Sequence, residues 1–295
     1  MSVRGRQQAG RGWAYLDLAS LGVNTGRSYL SALLWIVLLP LAAAALLGLL
    51  AAFVTAPGLQ ALLAGVLLPY APIVVAGAAT VWSAVDIHRR PWRSLVAADL
   101  RLDWARLGVG LGVQLAILGG ELALLHLATG WPWHFSLAAG LPVLLAAMLL
   151  IPLQAASEEI VFRGYLSQAL ARRVRSRVAV AVGVAALFGL AHVNAHGALT
   201  LPYFGLLSLV FSLVSLRDEG LELAIGGHAA INLFGFVAAN AAVVAPAAAT
   251  PAALNAGAVA LTTASLAVPL INGALFYVGT RLLVRLLCRP RAANR

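Results

Sequence analysis

The chain has 295 residues, 62% hydrophobic and only 10% charged, with a formal net charge of +10 and a mean hydropathy of +0.92. Water-soluble domains keep nearer half their residues apolar and a quarter charged, so a soluble enzyme is excluded. The positive charge is all arginine, with no lysine, and the single cysteine, Cys288, allows neither an internal disulfide nor a thiolate metal cluster.

A bilayer core about 30 Å thick takes about 20 apolar residues per helix. Stretches of that kind recur near Tyr29 to Thr55, Leu59 to Val85, Trp104 to Leu127, Leu137 to Leu170, Val178 to Ala195, Leu199 to Leu216, Leu221 to Val244 and Ala256 to Leu283. The pattern predicts an all-α, polytopic transmembrane bundle of about eight spans. Residues 1–28 form a basic N-terminal arm whose part from Trp13 to Leu21 is either loose or resting on headgroups. Its first apolar run starts too late for a cleaved signal peptide. The transmembrane domain occupies 29–285, and 286–295 is a basic tail.

Short cytoplasmic connections collect arginine. With the N terminus inside, Arg4 to Arg27, Arg89 to Arg106, Arg172 to Arg177, Arg217 and the group from Arg281 to Arg295 all fall on the inner side. Only Arg163 is left over, while the opposite connections around Gly130, Ala198 and Pro246 carry none. This asymmetry predicts an even number of spans with both termini cytoplasmic.

Ionisable groups inside a membrane helix are costly and mark function. The fourth span carries Ser157-Glu158-Glu159-Ile160-Val161-Phe162-Arg163. The i, i+4 spacing places Glu159 and Arg163 on one helix face as an internal ion pair and turns Glu158 about 100° away. The fifth span contributes Phe188 and His192, and the seventh contributes His228 and Asn232, again at i and i+4. At about 1.5 Å per residue, Glu158 and His192 lie roughly 21–23 Å from the nearest inner-side arginines. Counted from Glu222, His228 and Asn232 lie only about 9–15 Å deep. Glu121, in the third span, is read as snorkelling toward the outer leaflet or lining a cavity, with preference for the former. Asp218 and Glu219 are read as solvated turn charges, and His88 as a loop residue.

Glu-Glu-x-x-x-Arg, Phe-x-x-x-His and His-x-x-x-Asn on successive membrane helices resemble the CPBP family of intramembrane proteases, which includes type II CAAX prenyl endopeptidases and bacteriocin-processing or Abi-like immunity proteins. The resemblance covers about 143–244. It implies hydrolysis of a peptide bond in or beside the membrane by a glutamate-type mechanism without a metal. Glu158 is then the general base toward water, His192 holds or shares the water proton, and His228 with Asn232 stabilises the oxyanion. Glu159 and Arg163 support them, and Phe188 packs beneath His192.

A zinc-dependent hydrolase with Glu158, His192 and His228 as ligands stays open, because three such ligands and a water make a usual catalytic set. Against it, His192-Val193-Asn194-Ala195-His196 has valine where the helical zinc motif needs glutamate. A non-catalytic binding, immunity or regulatory role on the same scaffold is the remaining alternative. The expected partners are a membrane-embedded or membrane-anchored peptide or protein and the lipid bilayer, with no nucleic acid. The arginine-only, alanine-rich composition points to a bacterial cytoplasmic membrane.

Overall fold

The computed structural model describes residues 14–130, 141–193, 199–240 and 263–291. Among these residues the structure is helical, with one isolated antiparallel bridge between Ala97 and Gly220. Eight apolar helices follow in chain order: α1 (Gly26–Phe53), α2 (Pro57–Ile87), α3 (Trp104–Thr129), α4 (Leu141–Ala171), α5 (Arg177–Ala191), α6 (Thr200–Asp218), α7 (Glu222–Asn240) and α8 (Ala267–Leu287). Six of them are long and apolar enough to cross a bilayer, while α5 and α7 are shorter. Together they form the expected all-α polytopic bundle, and the protein is an integral membrane protein.

Local chemistry sets the helix ends. Thr25 and Ser28 form a reciprocal capping box on α1, and the Asp103 carboxylate accepts from the Ala105 and Arg106 amides at the start of α3. Glu219 stops α6 in a left-handed conformation at φ 55°. Large apolar side chains such as Leu30, Leu34, Leu38 and Leu41 on α1 and Leu286 on α8 are exposed, as a lipid-facing surface requires.

Helix α7 is the hub, packed against α3, α4 and α6, while α4 also meets α2 and α5. Small residues permit the close crossings. A Cβ on Gly226 would lie 2.2 Å from the Leu107 carbonyl oxygen, and one on Gly110 would lie 2.2 Å from that of Leu223, so α3 and α7 touch backbone to backbone.

One end of the bundle is closed by a polar cap. The Tyr15 amide donates to Glu219 at 2.6 Å, and Arg177 donates to the same carboxylate at 2.9 Å. Arg106 pairs with Asp103 and Asp218, and Arg291 pairs with Asp99 and Glu222. The described parts of both chain ends therefore meet the connections after α2, α4 and α6 at a single end of the bundle.

This cap corrects two expectations. Asp218 and Glu219 are buried, at 7% and 6% exposure, because arginines from the first turns of α3 and α5 converge on their turn. The short 3₁₀ helix Leu16–Leu21 is docked rather than loose, since the Tyr15 side chain is buried and its hydroxyl donates to the Leu95 carbonyl at 2.6 Å. In the C-terminal tail, Arg291 is buried as well. His88, read as a loop residue, bridges the Val23 carbonyl and the Tyr165 hydroxyl. His134, His196 and the Trp131-Pro132-Trp133 stretch lie outside the described residues.

Glu121 is the third correction. Asn272 on α8 donates to it at 3.1 Å and accepts from the buried Gln114 at 3.0 Å, so it faces a neighbouring helix rather than snorkelling.

Candidate active site

Helix α4 changes pitch where its charged residues begin. Regular α-helix runs to Glu159, a π-helical stretch follows over Ile160–Leu166, and α-helix resumes at Ser167. Such wide turns occur often at functional sites. Beside them, Gly77 on α2 leaves room for Ser157, whose Oγ would lie 2.3 Å from a Cβ at that position.

Arg163 and Glu159 form the predicted pair at 3.0 Å, at 1% and 0% side-chain exposure. Both charges are desolvated, so the remaining hydrogen-bonding positions matter. Arg163 Nη2 donates to the Ser208 hydroxyl at 2.7 Å and to its carbonyl at 3.3 Å, and the guanidinium lies 4.5 Å from the centre of the Phe188 ring. Ser208 lies on α6, so the pair ties α4 to a third helix.

His228 stands between the two glutamates. Its Nδ1 is 2.8 Å from Glu159 Oε1, and its Nε2 is 3.3 Å from Glu158 Oε2. The Nδ1–H donates to Glu159, already an acceptor for Arg163, which leaves Nε2 facing Glu158. Phe211 stacks on the His228 ring, with 5.7 Å between centroids. The apparent shortfall in the depth of His228 disappears with its origin: Glu222 is fully buried beneath the polar cap and does not mark a membrane surface.

His192 ends α5. Its Nδ1 is 2.8 Å from the Phe188 carbonyl, an acceptor only, so Nδ1 carries the proton and Nε2 presents a lone pair. The ring is sandwiched between Phe188 and Phe204, at 4.3 and 4.6 Å between centroids. It makes no ion pair with either glutamate; the imidazole that reaches Glu158 belongs to His228. Asn232, half-buried one turn beyond His228, donates from Nδ2 to Gln154 Oε1 at 2.9 Å.

Phe188 links these parts. Its ring touches those of His192 and His228 and carries the Arg163 guanidinium on its face. The structure thus draws Glu158, Glu159, Arg163, Phe188, His228 and Asn232 into one connected set across α4, α5 and α7, with His192 joined through Phe188. Sequence reasoning missed Gln154, Ser208, Phe204 and Phe211. Gln154 carried a usable signal, a carboxamide one turn before Glu158 in an apolar helix, whereas nothing distinguished the α6 residues from ordinary span residues.

Glu158, His192 and His228 are not gathered as a three-ligand group. Among the described residues no group of three or more His, Cys, Asp or Glu is arranged to hold a metal ion. Both His228 ring nitrogens face carboxylates, and the His192 ring is held by two aromatic faces.

Residues 138–234 match the family model of type II CAAX prenyl endopeptidase Rce1-like proteins. All three motifs fall inside that segment, so the family resemblance read from them holds for it. An uncharacterized protein, YyaK, from Bacillus subtilis (strain 168) is 29% identical over 163 residues, covering 52% of this chain and 54% of the relative. The match therefore spans about half the length of that curated relative. No solved structure matches the chain.

Proposed function

We propose that this protein is an intramembrane endopeptidase of the glutamate type, hydrolysing a peptide bond of a membrane-anchored or membrane-embedded substrate. The observation that carries this reading is the buried approach of Glu158 to His228, with the far nitrogen of the same ring fixed by Glu159. A carboxylate beside an imidazole whose orientation a second carboxylate sets is suited to receive a proton and pass it on.

Water bound between Glu158 and the His192 Nε2 lone pair gives one proton to Glu158 as its oxygen attacks the scissile carbonyl carbon. The Asn232 amide donates to the resulting oxyanion. On collapse of the tetrahedral intermediate the C–N bond breaks, and the proton held by the Glu158–His228 pair passes to the leaving amine. Arg163, Ser208 and Phe188 keep Glu159 and both imidazoles in register. No step passes through a metal ion.

The test uses purified protein in liposomes with two peptide probes, a farnesylated CAAX tail and the same sequence carried on a saturated acyl anchor. Products are read by mass spectrometry with and without chelator, alongside metal analysis. Cleavage at one peptide bond that persists with chelator is expected. Activity that follows stoichiometric zinc and is lost on its removal would overturn the metal-free mechanism. Binding of both probes with no cleavage would favour the non-catalytic alternative.

A further inference from the structure

Helices α4 and α7 meet at two polar rungs. Glu158 and Glu159 face His228, and Gln154 faces Asn232. The two residues on each helix are four apart and run in opposite senses, which puts the rungs about 6 Å, one helical turn, from each other. Gln154 is 3% exposed, and a carboxamide in an apolar helix is costly unless it is hydrogen-bonded. It spends its acceptor oxygen on Asn232 Nδ2 at 2.9 Å.

The side chain of asparagine ends in an sp³–sp² torsion that is broad and roughly two-fold. An unheld Asn232 would therefore present either its NH₂ or its carbonyl oxygen to the reacting peptide. The second presentation would set an acceptor against a developing negative charge. By taking one Nδ2 hydrogen, Gln154 selects a single orientation and leaves the other hydrogen to be given.

We infer that Gln154 is a positioning residue of this site, acting through Asn232 to aim its remaining N–H at the oxyanion. The inference rests on the hydrolase reading above. It predicts that Gln154 influences bond breaking but not substrate affinity, and only while the Asn232 amide is present.

The experiment is a double-mutant cycle on the full chain in liposomes. Gln154→Met, Asn232→Ala and the double variant are assayed with the farnesylated CAAX-tail peptide, with Glu158→Gln as control and thermal stability followed for each. Loss of an oxyanion donor costs about 10²–10³-fold in kcat. Asn232→Ala should show a loss of that size, Gln154→Met one of about tenfold or more with KM unchanged, and the double variant should be no slower than Asn232→Ala alone. Gln154→Glu, which keeps an acceptor oxygen at the same reach, should recover most of the kcat lost in Gln154→Met.

A Gln154→Met loss that persists in full in the Asn232→Ala background, or that appears only in KM or thermal stability, overturns the positioning role. So does an unchanged kcat for Gln154→Met when Glu158→Gln is inactive, and in that case the hydrolase reading stands. A Glu158→Gln variant that cleaves like wild type overturns the hydrolase reading itself.

Discussion

Replacing Arg163 with methionine removes an arginine paired with a fully buried carboxylate. The guanidinium makes a 3.0 Å ion pair, two hydrogen bonds to Ser208 and a contact with the Phe188 face, all at 1% exposure. Once it is gone, Glu159 keeps only the His228 Nδ1 contact. Breaking a buried pair by deleting one partner costs about 3–5 kcal/mol, mostly because the other charge is stranded. Arg163→Met should lose stability of that order. Glu159→Gln combined with Arg163→Met strands no charge and should recover at least about 2 kcal/mol of the loss. Equilibrium unfolding in mixed micelles measures both variants. A loss under about 1 kcal/mol for Arg163→Met, or a double variant no more stable than the single, would refute this account of the pair.

Two further outcomes follow from the packing and the cap. Gly226→Ala places a Cβ 2.2 Å from the Leu107 carbonyl and 2.6 Å from the Leu111 amide nitrogen, so backbone must move; it should destabilise by about 1–3 kcal/mol, and near-neutral unfolding would contradict the close α3–α7 crossing. His88 lies just beyond α2, where burial lowers its pKa, aided by Arg90 and opposed by its hydrogen bond to Val23. Its folded pKa is below the unfolded value of about 6.5, so the unfolded chain binds the extra proton first, and stability present above that pH is lost as pH falls. Thermal unfolding should therefore come earlier at pH 5.5 than at 7.5, with a smaller difference in His88→Gln; equal acid sensitivity in the two proteins would contradict it.

Hydropathy made the helices legible, because each span had to bury its own backbone hydrogen bonds in an apolar run. The Glu159–Arg163 pair was legible for a similar reason, since i, i+4 contacts are set by one helix alone. Partner choice between helices was not. Depth counting favoured His192 beside Glu158, yet His228 is the imidazole within reach, because α7 starts under a cap of buried ion pairs rather than at the membrane surface. The cap escaped notice because charges near helix ends look solvated until the segments that cover them are placed. Tyr15, Arg106, Arg177 and Arg291 come from four separate stretches of the chain. Glu121 was misjudged in the same way, as its partner Asn272 is 151 residues distant.

The central claim is that Glu158 takes the proton from the attacking water with His228 as its partner. The most direct measurement is single-turnover cleavage of the liposome-borne farnesylated peptide by wild type, Glu158→Gln and His228→Gln, each verified as folded by its thermal transition. Both variants should lose at least about 10²-fold in the rate of peptide-bond breaking, as removal of a positioned acid–base group implies, while still binding the peptide. Cleavage by folded Glu158→Gln within a few-fold of wild type would contradict the account.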